Sequence, residues 1–572
     1  MTERGVQERT HTVDVLVVGA GAGAMVAAIT ASDHTMNTLV IEKGAYYGGS
    51  SAMSGGGLWI PNNHLMRTVG IDDSPEDALA YLEATTHGLV AEDRLRAYVK
   101  TAPEMLSYLC ERTRLRVDAL PEYPDYYTES PGYRPGGRCL EPRRVPASIL
   151  GEEFPRLREG AVQSLIAGRI FMTIKEARTL LCRGPGWIGL TLRLMSRYWL
   201  DLPWRLRSRR DRSLTMGNAL VAMLRRSMMV RGIPLWLDTP AREIVVEGGR
   251  VVGVVAERDG QRVRIRATKG VILAAGGFES SQAMRARYLP SPTRAEWTCA
   301  NPDNTGDLIA LGMGIGAAVD LMDDAWWGPT TVVPGEARAR MLVIEKSLPG
   351  SILVNKRGER FVDEALPYVD VVNAMYANNT PDAPSVPAYL IFDATFRQKY
   401  PCGPFLQGSM QPDWALPKRL KREYLRKADT VDGLAALLGI DAAGLQATVA
   451  KVNGYARSGV DLDFHRGDTV FDRYYGDTTV TPNPCLAPIE KPPFYGIEAY
   501  PGELGTKGGL RTDAHARVLR EDGSVIPGLY AIGNCSASVM GRTYPGPGST
   551  LGPATTFGHI AARHAAGDGR LR

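Results

Sequence analysis

Short apolar runs separated by clusters of small residues dominate both ends of the chain. Residues 13–18 form an unbroken apolar run apart from Asp14, too short for a core helix, and it stops at a glycine cluster before the helix-forming stretch "AMVAAITAS". That order predicts a buried strand, a tight turn and a helix. A second run, in "NTLVIEKG", predicts a strand ending at Glu42. A third lies in "KGVILAAGGFES", residues 269–280, and a fourth in "GLYAIGN", a strand over 528–532 ending at Gly533 and Asn534. Continuous rather than alternating apolar runs belong to strands buried on both faces, as in a parallel sheet. Between these ends, "SILVNKRGERFVDE" predicts a strand and turn, and "DGLAALLGIDAAGLQATVAKVNGYARSG" predicts helix.

The first strand and helix enclose a nucleotide motif. Gly19, Gly21 and Ala24 occupy the small positions of GxGxxG/A, with Gly23 adding another small residue. Such residues permit the turn and a close approach to a pyrophosphate, whose charge then meets the free N–H groups of the helix start. Glu42 follows about twenty residues later, where an acid accepts hydrogen bonds from a ribose. If both chain ends share one sheet, Gly533 and Asn534 lie beside the first turn, an arrangement that favours FAD over NAD. The small residues Gly49, Ser50 and Ser51 lie where a flat flavin ring would pass, although the stretch also reads as an ordinary turn. Lys43, Gly55, Ala275, Gly276 and Leu551 complete the expected cofactor set. The fold class is α/β: a discontinuous Rossmann-like FAD-binding domain, residues 1–300 and 490–572, with an inserted α+β catalytic domain, 301–489, and the active site between them.

Composition narrows the function classes. At 572 residues the chain exceeds one usual core, and 44% hydrophobic with 23% charged residues is ordinary for a folded protein. A net charge of +5 is too diffuse to argue for nucleic acid, and none is expected as a partner. Seven scattered cysteines without a CxxC pair and eight histidines without an HExxH pattern suggest neither disulfides nor a metal, and fit a cytoplasmic setting. The apolar stretch 13–30 carries Asp14 and several glycines and reads as core rather than as a signal peptide.

With "EKGAYYGGSSAMSGGGLWIPNN", "NKRGERFVDEALPYVD" and "TYPGPGSTLGPA" in view, the chain resembles flavoproteins related to fumarate reductase, and within them the 3-ketosteroid Δ1-dehydrogenases. The resemblance spans nearly the whole chain except about 150–235. It implies noncovalent FAD, a 3-keto-4-ene steroid substrate and an unidentified electron acceptor of quinone or dye-like type. Fumarate reductases place a proton-delivering arginine four residues after the glutamate that corresponds to Glu364; here that position is Tyr368. Their carboxylate-clamping arginine corresponds to Thr550. Without these cations a dicarboxylate has no bidentate partner, so the substrate is expected to be uncharged and apolar. The resemblance implies that Tyr368 takes the C2 proton, that Tyr126 hydrogen-bonds to it, and that the Tyr544 hydroxyl and the Gly548 N–H bind the C3 oxygen. Gly548 would also leave room for the steroid A ring. Tyr123 and Tyr127 compete with Tyr126 for its place. Rival readings are a dehydrogenase of another ring bond such as C4–C5, an enone reductase, and a non-catalytic FAD protein.

The segment "GPGWIGLTLRLMSRYWLDLPWRLRSRRDR" mixes tryptophan, leucine and arginine. Its arginines interrupt any membrane-spanning run, while the mixture suits an interface, so peripheral contact with the cytoplasmic face of the membrane is expected over 186–212. An oligomer contact or a solvated basic helix remains the alternative.

Overall fold

The computed structural model describes residues 9–567. The strand Arg9–Val18 lies in mid-sheet, parallel to Thr38–Ile41 on one side and to Gln261–Leu273 on the other. Leu235–Trp236 extends the sheet past Thr38–Ile41. From the far end of the sequence, Val525–Ala531 joins in parallel, residues 529–531 against 271–273. Val15, Leu16 and Val17 are wholly buried, which accounts for their unbroken apolar run. The helix Ala22–Asp33 packs along the C-terminal helix Leu551–Ala565, so the two chain ends form one unit.

Gly19 carries the turn between the first strand and helix. Its φ is +117°, and a Cβ there would lie 2.4 Å from the Ala274 carbonyl oxygen, so both conformation and space require glycine. The strand expected over 269–280 ends at Leu273. Ala274, Ala275 and Gly276 leave the sheet at the level where Gly19 turns, and border a cavity instead.

A second sheet is antiparallel, in the order Arg340–Met341, Ala325–Thr331, Phe494–Thr506, Ala388–Phe392, Ser351–Val354. The long helical stretch expected after it is two helices, Val431–Leu438 and Ala442–Ser458. Gly439 ends the first in a left-handed conformation, and the Asp441 side chain caps the second through the Gly444 N–H. Leu434, Leu445, Val449 and Val452 then close over Ile352 and Ile391 of the sheet.

Helix Tyr368–Ala377 starts directly after Pro367. The buried Glu364 carboxylate anchors its approach, accepting hydrogen bonds from the Leu353 N–H, Arg360 and Arg466. Lys346 Nζ donates to the Glu364 and Leu366 carbonyls at 2.8 and 2.7 Å, which fixes the turn into Tyr368.

The region that stood apart in sequence, about 150–235, is two different things. Met216–Val230 is a buried helix packed against Gly49–Met53 and Ala22–Asp33, part of the nucleotide-binding core. The helices Ile174–Leu181, Trp187–Trp199 and Leu202–Arg205 form an outer layer with its own small cluster around Leu194 and Tyr198. No helix among the described residues is long and apolar enough to cross a membrane.

Candidate active site

One cavity of about 750 Å3 runs from the first glycine turn past three tyrosines to the outer helices, and the residues expected to bind the cofactor or to take part in catalysis border it. At its inner end the helix Ala22–Asp33 begins at Gly21, which has no side chain to cover the first N–H groups. The Ser51 hydroxyl accepts the Ala22 N–H at 3.1 Å, and Ser50 Oγ accepts from Asn304 Nδ2 at 3.1 Å, so both serines brace the cradle. Glu42 is half-buried and accepts the N–H groups of Ala20 at 3.0 Å and Gly44 at 2.9 Å. Burial raises its pKa while those two N–H groups act the other way, and each oxygen keeps a lone pair for a ribose hydroxyl. Lys43 pairs with Asp307 on the rim, and its Nζ also donates to Thr305 at 2.6 Å. A helix start facing the cavity, a half-buried ribose-type carboxylate and a floor of small residues fit an extended dinucleotide such as FAD.

Tyr126, Tyr368 and Tyr544 come together although they lie 242 and 176 positions apart in sequence. Ring centroids are 5.7 Å apart for Tyr126 and Tyr368, 5.1 Å for Tyr368 and Tyr544, and 5.4 Å for Tyr126 and Tyr544. The Tyr126 hydroxyl donates to Tyr368 Oη at 3.1 Å, and the Tyr368 ring stands edge-on to Tyr544. The Gly548 N–H and the Thr550 hydroxyl also reach Tyr544, so phenol and backbone donor converge. Gly548 has φ +100°, and a Cβ would meet Gly57 and the Trp59 nitrogen at 2.6 Å. The space glycine frees is therefore taken by the backbone of that loop, not left for a steroid ring as the sequence suggested; Gly548 O also accepts the Trp59 N–H at 3.2 Å.

The two competing tyrosines take other positions. Tyr123 stands behind Tyr126, their hydroxyls 3.4 Å apart, and pairs with Tyr475 at 2.5 Å. Tyr127 turns away toward Asp370, its hydroxyl accepting the Tyr544 N–H at 3.4 Å. Tyr475 had no motif to mark it. Only the adjacent aromatics in "FDRYYGD" hinted at a packed ring cluster.

Burial, together with Tyr544, pushes the Tyr368 phenol well above its usual range, and the Tyr126 hydrogen bond opposes this. Burial likewise raises Tyr544, opposed by Tyr368, Thr550 and the Gly548 N–H. Apart from Lys43, the cations on the cavity wall are Arg178 and Arg340, each paired with its own glutamate, Glu122 and Glu336. Thr550 stands on the wall where a carboxylate clamp would be. The wall toward the outer helices is apolar, with Leu165, Ile166, Leu180, Leu181 and Trp187.

A dinucleotide cradle facing a cluster of phenols in an apolar chamber defines a flavin-dependent oxidoreductase, and the profile of the FAD binding domain family matches residues 14–551. The chain is 43% identical to a 3-oxosteroid 1-dehydrogenase of Mycobacterium tuberculosis strain H37Rv, over 97% of this chain and 98% of the relative. A 3-oxosteroid 1-dehydrogenase of Mycolicibacterium smegmatis is 42% identical over 96% of each. The crystal structure of 3-ketosteroid Δ1-dehydrogenase from Sterolibacterium denitrificans in complex with 1,4-androstadiene-3,17-dione matches with a TM-score of 0.95 and 50% identity, covering 98% of this chain and 100% of that one. The chain belongs to the 3-oxosteroid 1-dehydrogenase family of FAD-binding flavoproteins. Its cofactor is FAD.

Proposed function

We propose that this protein dehydrogenates the C1–C2 bond of 3-keto-4-ene steroids to give 3-keto-1,4-dienes. The observation that carries the reading is the convergence of Tyr126, Tyr368, Tyr544 and Gly548 in an apolar chamber open to the FAD cradle. Bound FAD supplies the two-electron acceptor for the hydrogen leaving C1. Tyr368 removes the proton from C2, which the C3 ketone acidifies. The Tyr126 hydroxyl donates to Tyr368 and favours the phenolate. The Tyr544 hydroxyl and the Gly548 N–H hold the C3 oxygen as it gains charge, an oxyanion hole of two donors. The apolar wall excludes water and matches the steroid skeleton; a carboxylate substrate would meet no unpaired cation there. FAD is held without a covalent bond, and a quinone-class acceptor reoxidises it. The reading divides the chain into an FAD-binding domain and a capping domain; the expected boundary at 490 moves to about 506, because the strand Phe494–Thr506 pairs with Ala325–Thr331 and Ala388–Phe392 of the capping sheet.

The test is turnover of androst-4-ene-3,17-dione with an artificial dye acceptor, the steroid carrying deuterium at C1 and C2. Loss of one deuterium from each carbon, with the 1,4-diene as product, is the expected result. Turnover that leaves both deuteriums in the steroid, or no turnover with any enone, overturns it.

The same reading places the enzyme in the cytoplasm against an anionic lipid leaflet. Ile188, Leu192 and Trp199 are exposed and fall within about 40° of one another around their helix, while Leu194 and Tyr198 face inward. Leu200 and Leu206 continue the apolar surface, 75% and 90% exposed, with Arg207 and Arg209 at its edge. Arg197 and Arg212 are tied to Asp211 and Asp201, so fewer arginines are free for phosphates than the sequence suggested. Trp187 and Thr191 of the same helix line the cavity, which puts its outer end beside the apolar stripe and supports uptake of steroid from lipid. Sedimentation with vesicles containing anionic lipid is expected, and it is expected to be lost in Leu192→Glu/Leu206→Glu; equal sedimentation of both proteins, or of neither, contradicts the leaflet.

A further inference from the structure

Tyr544 sits on a stretch without helix or strand, between residues 541 and 550, so its aim depends on what holds the backbone around it. The peptide group that enters it, between Thr543 and Tyr544, is engaged from behind at both its carbonyl and its N–H. Lys507 Nζ donates to the Thr543 carbonyl at 3.0 Å, and the Tyr544 N–H donates to Tyr127 Oη at 3.4 Å. Tyr127 faces Asp370, on the helix that begins with Tyr368, and interacts electrostatically with its carboxylate. Lys507 is fully buried, pairs with Asp324 Oδ2 at 3.3 Å, and lies 5.0 Å from the centre of the Trp326 ring. That ring stands edge-on to Tyr544 at 4.9 Å, and its Nε1 donates to Asn534 Oδ1 at 3.1 Å, on the segment that borders the cofactor cradle. The charged groups acting on Lys507 are Asp324, Asp370 and Arg542.

Burying an ammonium costs several kcal/mol of desolvation that a methionine of similar length would not incur. We infer that Lys507, held by Asp324 and acting together with Tyr127, is a positioning residue for Tyr544: the two fix the carbonyl and the N–H of the peptide that enters Tyr544, so that the phenol hydroxyl keeps its aim at the C3 oxygen. The inference rests on the role given to Tyr544 above. An oxyanion donor displaced by about 1 Å loses on the order of a hundredfold in rate, so a support of this kind acts on kcat rather than on ground-state binding.

A double-mutant cycle on the FAD-bound protein tests it, because a residue that acts through Tyr544 has little left to affect once that hydroxyl is gone. Lys507→Met is expected to lower kcat about ten- to a hundredfold with KM and the flavin spectrum little changed. In the Tyr544→Phe background the same substitution is expected to change kcat by less than about twofold. An equal factor in both backgrounds, or no loss in the native one, overturns the inference while leaving the role of Tyr544 standing. Near-native turnover by Tyr544→Phe alone overturns both. If Lys507→Met does not retain FAD, Tyr127→Phe, which removes the other peptide contact without altering a charge, goes through the same cycle under the same criteria.

Discussion

At Tyr368, the base proposed above, the surroundings of a single side chain tune its acidity. Its phenol is raised well above the ordinary range by burial and by Tyr544, so the phenolate that takes a proton becomes more abundant as pH rises. The sign follows directly: kcat is expected to climb with pH through the alkaline range and to fall as pH drops. Tyr126→Phe removes the hydrogen bond that opposes the shift, and its profile should move to higher pH; a flat or falling pH–kcat profile would remove Tyr368 as the base. Tyr544→Phe is expected to keep bound FAD and to lose on the order of 10²–10³ in turnover, read by flavin absorbance and steady-state rate. At this scale sequence reading was strong where a motif existed and weak where only contacts did. The family pattern brought Tyr368, Tyr544 and Gly548 into view, but three tyrosines within five positions could not be separated until the fold turned Tyr127 toward Asp370 and set Tyr123 behind Tyr126. Lys507 and Tyr475 could not be read at all, because their neighbours Thr543 and Tyr123 are distant in sequence.

Among the elements, the helix carrying Tyr368 depends on ionic contacts formed before it begins. Glu364 is fully buried and accepts from Arg360 and Arg466, whose charges hold its pKa below the ordinary carboxylate value against the effect of burial. A depressed carboxylate contributes stability that is complete above its unfolded pKa, about 4.3, and is lost as pH falls through the lower folded value. Glu364→Ala leaves the buried Arg466 guanidinium without its anion and Arg360 with Asp461 alone, and is expected to cost about 3–5 kcal/mol, measured by chemical denaturation. The loss should shrink when the pH is taken below the folded pKa, and a stability loss independent of acid pH would contradict this account. Element boundaries were legible where chemistry marks them, as at Gly439 and Asp441, although a continuous apolar periodicity concealed the break between those two helices. The apolar run 269–280 misled in the opposite direction: small residues after Leu273 look strand-compatible, but they form the edge of the cavity.

For the whole molecule, the cofactor cradle exists because residues 9–41, 261–276 and 525–554 meet in one sheet and its adjoining helices, and the tyrosine cluster exists because a second sheet and the helix at Tyr368 close over that cradle. The nucleotide end was legible from local motifs, whereas the position of the Trp187–Trp199 helix beside the outer end of the cavity was not, since composition gives no direction for a helix face. The whole arrangement predicts a two-electron exchange between steroid and FAD inside one chamber. The most direct measurement is an anaerobic titration of the purified flavoprotein with androst-4-ene-3,17-dione, following the flavin absorbance and the steroid products together. Bleaching of the oxidised flavin band with formation of one 1,4-diene per flavin reduced is the predicted result; a flavin band that stays oxidised while the steroid is recovered unchanged would contradict the assignment.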